Sequence, residues 1–130
     1  DTEYGLMVPV IRDVNEKGLW QIASEISDLA KRAQARKIKP EEMGGASMTI
    51  TNLGGIGGTA FTPIVNPPEV AILGLTRTEM TPVWNGEVFA PVPMVPLDLS
   101  YDHRVINGAE AARFVAHLAG LIADPRELLV

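Results

Sequence analysis

His103 is the residue of this sequence best placed to do chemistry. It sits in Ser100-Tyr101-Asp102-His103-Arg104-Val105-Ile106-Asn107-Gly108, a stretch that ends an alternating strand pattern, turns, and opens a helix. An imidazole moves protons near neutral pH, and a junction between elements is where a side chain can face a substrate. Along Met94–Asp102, Val95, Leu97, Leu99 and Tyr101 share one face, and Asp98, Ser100 and Asp102 share the other. His103 would continue the apolar face while Asp102 points away, so their adjacency does not make them a catalytic pair. Asn107, four residues on, can cap the helix with its side-chain oxygen. The other histidine, His117, lies inside the helical pattern and has no comparable setting. Taken alone, a histidine at a strand end is more often structural than catalytic.

Thr51 is a second candidate, because a hydroxyl can donate a hydrogen bond to a developing oxyanion. Thr49 lies on the same face with the same ability, and threonine is also simply a good strand former. The run Gly54-Gly55-Ile56-Gly57-Gly58 invites a phosphate-binding reading, but it lacks the Gly-Lys-Ser/Thr of a P-loop and the acidic residue of a dinucleotide site. A tight loop where backbone approaches another element or a ligand is the expectation instead. No His/Asp/Glu cluster has metal-ligand spacing, so no metal site is expected, and no Gly-x-Ser-x-Gly elbow points to a serine hydrolase. The sequence has no cysteine. Disulfides, thiolate metal sites and a cysteine nucleophile are excluded, and any thiol in the reaction belongs to the substrate.

The elements that must position these residues are legible from periodicity. Leu6–Ile11 reads as an apolar strand containing Pro9. Leu19–Arg36 is an amphipathic helix, with Leu19, Ile22, Ala23, Ile26, Leu29, Ala30 and Ala33 at helical spacing and Glu25, Asp28, Lys31 and Arg32 opposite. Lys39-Pro40-Glu41-Glu42 is a break with a possible helical turn. Ala46–Leu53 alternates as a strand with a hydroxyl-bearing face. Val70–Leu75 is a short buried strand. Thr76–Val83 and Val88–Val92 pair through Trp84-Asn85-Gly86-Glu87, because Asn-Gly favours a tight hairpin turn. Met94–Asp102 is a further strand, and Asn107–Ala123 is a helix with apolar residues on more than one side, as expected of a deeply packed one. The class is mixed α/β, with strands in the majority between two long helices.

The 130 residues fit a single domain. A net charge of −5 argues against a nucleic-acid surface and does not suggest binding to anionic membranes. No apolar run approaches the roughly 18 residues of a membrane span, and Asp1-Thr2-Glu3-Tyr4 does not resemble a signal peptide. Aromatic residues are only 5% of the chain, so aliphatic side chains must dominate its core.

Three segments together carry a resemblance: Asp102-His103-Arg104-Val105-Ile106-Asn107-Gly108, Thr49-Ile50-Thr51-Asn52-Leu53-Gly54-Gly55, and the run from Phe61-Thr62-Pro63 through Asn66-Pro67-Pro68-Glu69 to Leu73-Gly74. With Gly5-Leu6-Met7-Val8-Pro9-Val10-Ile11-Arg12-Asp13-Val14 upstream, they look like the acyltransferase catalytic domain of 2-oxo acid dehydrogenase complexes, in consistent order over essentially the whole chain. Arg104–Ala109 followed by Ala112-Arg113-Phe114 most resembles the acetyl-transferring branch of bacterial pyruvate dehydrogenase complexes. The resemblance implies a chloramphenicol-acetyltransferase-like mixed sheet flanked by helices, with residues 1–130 forming the C-terminal part of the domain and its N-terminal part absent.

It also implies roles. His103 matches the family's general base, which takes the proton from the thiol of coenzyme A or dihydrolipoamide. Thr51 matches the hydroxyl that hydrogen-bonds the oxyanion. Asn107 stands where the family usually has an aspartate, so a charge role there lapses and a supporting one remains. The substrates implied are coenzyme A and a lipoyl group carried on a separate domain. The implied partners are two further copies in a homotrimer whose interface holds the site, and other trimers docked through Leu128-Leu129-Val130 into a hollow core. Lipoyl domains, and the pyruvate decarboxylase-dehydrogenase and dihydrolipoyl dehydrogenase components, would be reached through domains absent here. The implied location is cytoplasmic. Three alternatives stay open: a non-catalytic, core-forming scaffold fragment, a succinyl- or branched-chain-transferring branch of the family, and another acyltransferase of the same fold acting on a small amine or hydroxyl.

Overall fold

In the computed structural model, which describes residues 1–129, the chain forms two compact units, Asp1–Ala46 and Ser47–Val130. The first is built around helix α1 (Leu19–Gln34), with single 3-10 turns at Val14–Glu16 and Pro40–Glu42. Leu29 and Ala33 are its buried residues, and the polar side is laced by ion pairs of Lys17 with Glu25 (2.8 Å) and of Arg32 with Asp28 and Glu42 (2.7 Å each). The helix stops two residues short of the expected Arg36. Arg36 takes a left-handed φ of 57°, while its N–H bonds Ala33 O and the N–H of Lys37 reaches Arg32 O (2.8 Å). That is the pairing with which a glycine commonly ends a helix, and a non-glycine in this role hides the stop from sequence inspection. The strand expected at Leu6–Ile11 does not form. Val10 N–H donates to Glu42 O at 2.7 Å, and Arg12 Nη2 donates to Glu41 O (3.0 Å) and Gly44 O (2.7 Å). No neighbouring strand among the described residues supplies a ladder.

The second unit holds a three-stranded sheet, a hairpin and helix α2. In the sheet, β1 (Thr49–Asn52), β2 (Ala71–Leu75) and β5 (Leu97–Tyr101) lie in the order β1-β2-β5, parallel between β1 and β2 and antiparallel between β2 and β5. Paired on both sides, β2 buries Ala71, Ile72, Leu73 and Gly74, a continuous run where an edge strand would alternate. The register sets two cross-strand rows on one face: Thr49, Ile72 and Ser100, then Thr51, Gly74 and Asp98. The Thr49 and Thr51 side of β1 is the covered one, and Ile50 is 65% exposed.

Strands β3 (Glu79–Trp84) and β4 (Phe89–Met94) form the expected hairpin, with the rings of Trp84 and Phe89 meeting edge-on at 5.2 Å. β3 starts three residues later than expected, and Arg77 just ahead of it pairs with Glu79, the first residue of the ladder. The loop is also longer than a two-residue Asn-Gly turn. Asn85 Oδ1 accepts the N–H groups of Glu87 and Val88 (2.9 Å each), and only Gly86 has a positive φ.

Helix α2 (Gly108–Ala123) follows β5, and Asn107 caps it as expected. Asn107 Oδ1 accepts Glu110 N–H at 2.9 Å, and Asn107 N–H donates to Glu110 Oε2 at 3.2 Å, a reciprocal capping box. The expectation of deep packing is not met within this chain. Ala111 alone is buried, while Phe114 and Ile122 are 45% and 46% exposed. Of the tail, Leu128 is exposed in a closing 3-10 turn (Pro125–Leu129), and Val130 lies outside the described residues.

Candidate active site

His103 occupies the turn between β5 and α2. The last sheet bond is Asp102 N–H to Val70 O at 2.8 Å, after which Asp102 O accepts the N–H groups of Val105 and Ile106 at 3.0 Å each. The imidazole is exposed and lies 5.5 Å, centroid to centroid, from the Tyr101 ring. That contact between residues two apart is what strand alternation requires, and it places His103 on the Tyr101 side. Asp102 turns the other way and engages Arg104. Its Oδ1 accepts Arg104 N–H (3.0 Å) and Nε (2.9 Å), and its Oδ2 accepts Nη2 (2.6 Å). The guanidinium holds the Asp102 carboxyl at a pKa of about 2, below the usual carboxylate range. Asp102 and His103 are therefore neighbours in sequence without being partners.

The two threonines left equivalent by the sequence are distinguished by their partners. Thr49 Oγ1 donates to Glu69 Oε2 at 2.6 Å, so its proton is committed to a carboxylate. Thr51 has no such acceptor among the described residues and remains free to donate. Its row neighbour Gly74 carries the ring of Phe61: a Cβ at Gly74 would stand 2.7 Å from Phe61 Cζ, inside any tolerable contact. Phe61 N–H in turn reaches toward Asp98 Oδ2 at 3.4 Å. A glycine inside a strand signals close approach of another group, but the sequence gives no sign that the group is Phe61, nor that Glu69 holds Thr49. In the Gly54–Gly58 loop the expected close backbone approach occurs at Gly54, while Gly55, Gly57 and Gly58 face open space. A Cβ at Gly54 would lie 3.2 Å from Thr76 O and 3.0 Å from Asn52 Oδ1. Its mouth is a shallow depression of about 390 Å³ lined by Asn52, Gly55, Thr76 and Arg77 among others.

Within one chain, Thr51 and His103 do not meet. Thr51 is level with Asp98, two strands away or about 10 Å across the sheet. Tyr101 lies three residues, about another 10 Å, further along β5. Side chains at Asp98 and Tyr101 point to opposite faces, so Thr51 and the Tyr101–His103 pair occupy different sides of the same sheet. Asn107 faces its own helix terminus. No cluster of metal-ligating side chains occurs among the described residues, and no described helix is long and apolar enough to cross a membrane.

Comparison with known proteins places this arrangement. The model of the 2-oxoacid dehydrogenases acyltransferase family (catalytic domain) matches residues 1–130. The dihydrolipoyllysine-residue acetyltransferase component of the pyruvate dehydrogenase complex of Pseudomonas aeruginosa is 59% identical over 130 residues, covering 100% of this chain and 24% of that protein. Among solved structures, dihydrolipoamide acetyltransferase of Azotobacter vinelandii, studied for the role of a serine, a histidine and an asparagine in its catalytic mechanism, superposes with a TM-score of 0.96 at 57% identity. The cubic core of the pyruvate dehydrogenase multienzyme complex gives the same TM-score at 58% identity, and in both cases all of this chain covers 54% of the solved one. The sheet, the histidine turn and the capped helix thus belong to the mixed α/β fold of acyltransferase cores. The chain belongs to the 2-oxoacid dehydrogenase acyltransferase family. It spans about a quarter of the length of the curated relative from Pseudomonas aeruginosa.

Proposed function

We propose that this chain is the C-terminal part of a catalytic domain that moves an acetyl group between dihydrolipoamide and coenzyme A in a pyruvate dehydrogenase complex. One observation carries the reading. The Azotobacter acetyltransferase that the whole chain superposes on was studied for a serine, a histidine and an asparagine whose spacing is that of Thr51, His103 and Asn107. Threonine for serine keeps the hydroxyl, and the asparagine is the residue found here.

In this reading His103 is the base. A free thiol has a pKa of about 8.5 and an imidazole about 6.5, so the neutral ring is suited to take the thiol proton as the sulfur attacks. The sulfur of coenzyme A adds to the thioester carbonyl of acetyl-dihydrolipoamide, and the carbonyl oxygen becomes an oxyanion. Thr51 donates its hydroxyl hydrogen bond to that oxygen, a contact worth roughly 3–4 kcal/mol of barrier. As the tetrahedral species collapses, the carbon–sulfur bond to dihydrolipoamide breaks and His103 returns the proton to the departing sulfur. No bond to the enzyme forms, in keeping with a chain that has no cysteine. Asn107 supports the site by fixing the start of α2.

Opposite-face placement of Thr51 and His103 supports a site shared between chains, with the histidine of one copy opposite the threonine of the next in a trimer. The exposed Phe114, Ile122 and Leu128 are apolar surface that further copies would cover. Trimers docked through the Leu128-Leu129-Val130 tail would build the hollow core. Lipoyl domains and the decarboxylase-dehydrogenase and dihydrolipoyl dehydrogenase components would attach through other parts of the full-length, cytoplasmic protein. Co-expression of full-length His103→Ala and Thr51→Ala subunits tests the reading. Each parent assembly is expected to be inactive or nearly so, while mixed assemblies regain transfer at roughly a quarter of the sites by random assortment around the ring. Full turnover in the His103→Ala parent, or no gain on mixing, would overturn it.

A further inference from the structure

We propose that Asp102 and Arg104 are positioning residues for His103, Asp102 by fixing the turn that carries the imidazole and Arg104 by holding and neutralising the Asp102 carboxylate. The inference rests on His103 being the base, but it concerns different groups. Asp102 is the hub of the turn: its N–H closes the sheet on Val70, its carbonyl takes the N–H groups of Val105 and Ile106, and its Oδ1 takes that of Arg104. The last three of these bonds span His103, whose own described contact is the Tyr101 ring. The side-chain bond from Oδ1 to the N–H two residues on is an Asx turn, which holds the backbone of the intervening residue. Here the intervening residue is His103.

Arg104 completes the arrangement. Its fork grips both carboxylate oxygens, with Nε 2.9 Å from Oδ1 and Nη2 2.6 Å from Oδ2, and so keeps Oδ1 turned toward the Arg104 N–H. It also cancels the one carboxylate next to the imidazole in sequence. Other ionisable groups near the turn are Tyr101 on β5, against the ring, Glu110 in the first turn of α2, whose carboxylate accepts Asn107 N–H, and Glu69, which precedes the Val70 bonded to Asp102 and accepts from Thr49 Oγ1. An unpaired carboxylate beside an imidazole favours the imidazolium, and a protonated ring is no base. The pair thus gives the turn its shape with the carboxylate already engaged by Arg104. Because the Arg104 side chain is 89% exposed, its removal leaves the core untouched.

The experiment uses the full-length assembled protein and three variants. Asp102→Ala should cut kcat by roughly 10- to 100-fold with KM nearly unchanged, in line with the loss expected when a reacting group is misplaced. Asp102→Asn keeps the Asx acceptor and should recover most of that loss. Arg104→Ala should move the acid limb of the kcat/KM profile upward by about half a pH unit to one unit at low salt, and less at high salt. Carbethoxylation of His103 by diethyl pyrocarbonate, followed on its own peptide by mass spectrometry across pH, reads the same shift without turnover. Wild-type kcat in Asp102→Ala, or an unmoved His103 titration in Arg104→Ala, overturns the proposal. A titration that moves while the rate profile stays put upholds the positioning pair and removes His103 as the base. If Asp102→Ala fails to assemble, Arg104→Ala still decides by its titration shift.

Discussion

The two halves of the candidate site are held by different kinds of force. On the Thr51 face, position is set by packing: the central strand is buried from Ala71 to Gly74, and the Phe61 ring rests on Gly74, where no side chain would fit. On the His103 face, position is set by local hydrogen bonds around Asp102 in a turn open to solvent. A donor that must meet a developing charge without reorganising belongs on the rigid side. For the base proposed at His103, the shape of the turn is fixed by its own backbone bonds. The same sheet provides both settings, and it separates them.

That contrast can be broken in order of expected effect. Thr51→Ala should lower kcat by about 10²-fold or more with little change in KM, as loss of an oxyanion donor does. Thr49→Val, in steady-state assays of the full-length protein, should change kcat far less. An equal loss in both would erase the distinction drawn from Glu69. Gly74→Ala should destabilise the protein by about 1–3 kcal/mol, because overpacking forces Phe61 aside; Phe61→Leu combined with it should restore part of the loss in urea unfolding. If Gly74→Ala alone is neutral, packing does not set the Thr51 face. Asn107→Ala should cost about 1 kcal/mol through the lost cap, again by urea unfolding, and Asn107→Asp should retain most of it.

The smallest effect expected lies in the first unit. Arg32 lowers the Glu42 carboxyl to a pKa of about 2. A carboxylate whose folded pKa is depressed contributes stability fully present above its unfolded value near 4.5 and lost as pH falls toward 2. Thermal unfolding of Glu42→Gln between those limits should therefore show a weaker decline than wild type. An unchanged decline would mean that the pair adds nothing.

Much of this was legible beforehand, for reasons visible in particular residues. Alternation along Val95–Tyr101 put His103 with Tyr101 and away from Asp102, and the ring contact and the Arg104 clamp agree with it. Asn107 read as a cap because its chemistry is local, and the capping box is local too. Expectations went astray where the deciding partner was distant or atypical: among the described residues no strand pairs with Leu6–Ile11 and α2 finds little to pack against, and Arg36 ends α1 in place of a glycine. The pairing of Thr49 with Glu69, 20 residues apart, has no periodic signature at all.

The sequence by itself determined the α/β class, the histidine at its strand-to-helix junction, the cap that follows it and the lack of any cysteine to compete for the chemistry. These rest on period, short-range hydrogen bonding and composition, which act within a few residues. Only the tertiary structure decided that Thr51 rather than Thr49 has its proton free, that Phe61 fills the space over Gly74, and that Thr51 and His103 lie on opposite faces. Those follow from the register of three strands brought together over the whole second unit, and register is set by burial and pairing between segments far apart in the chain.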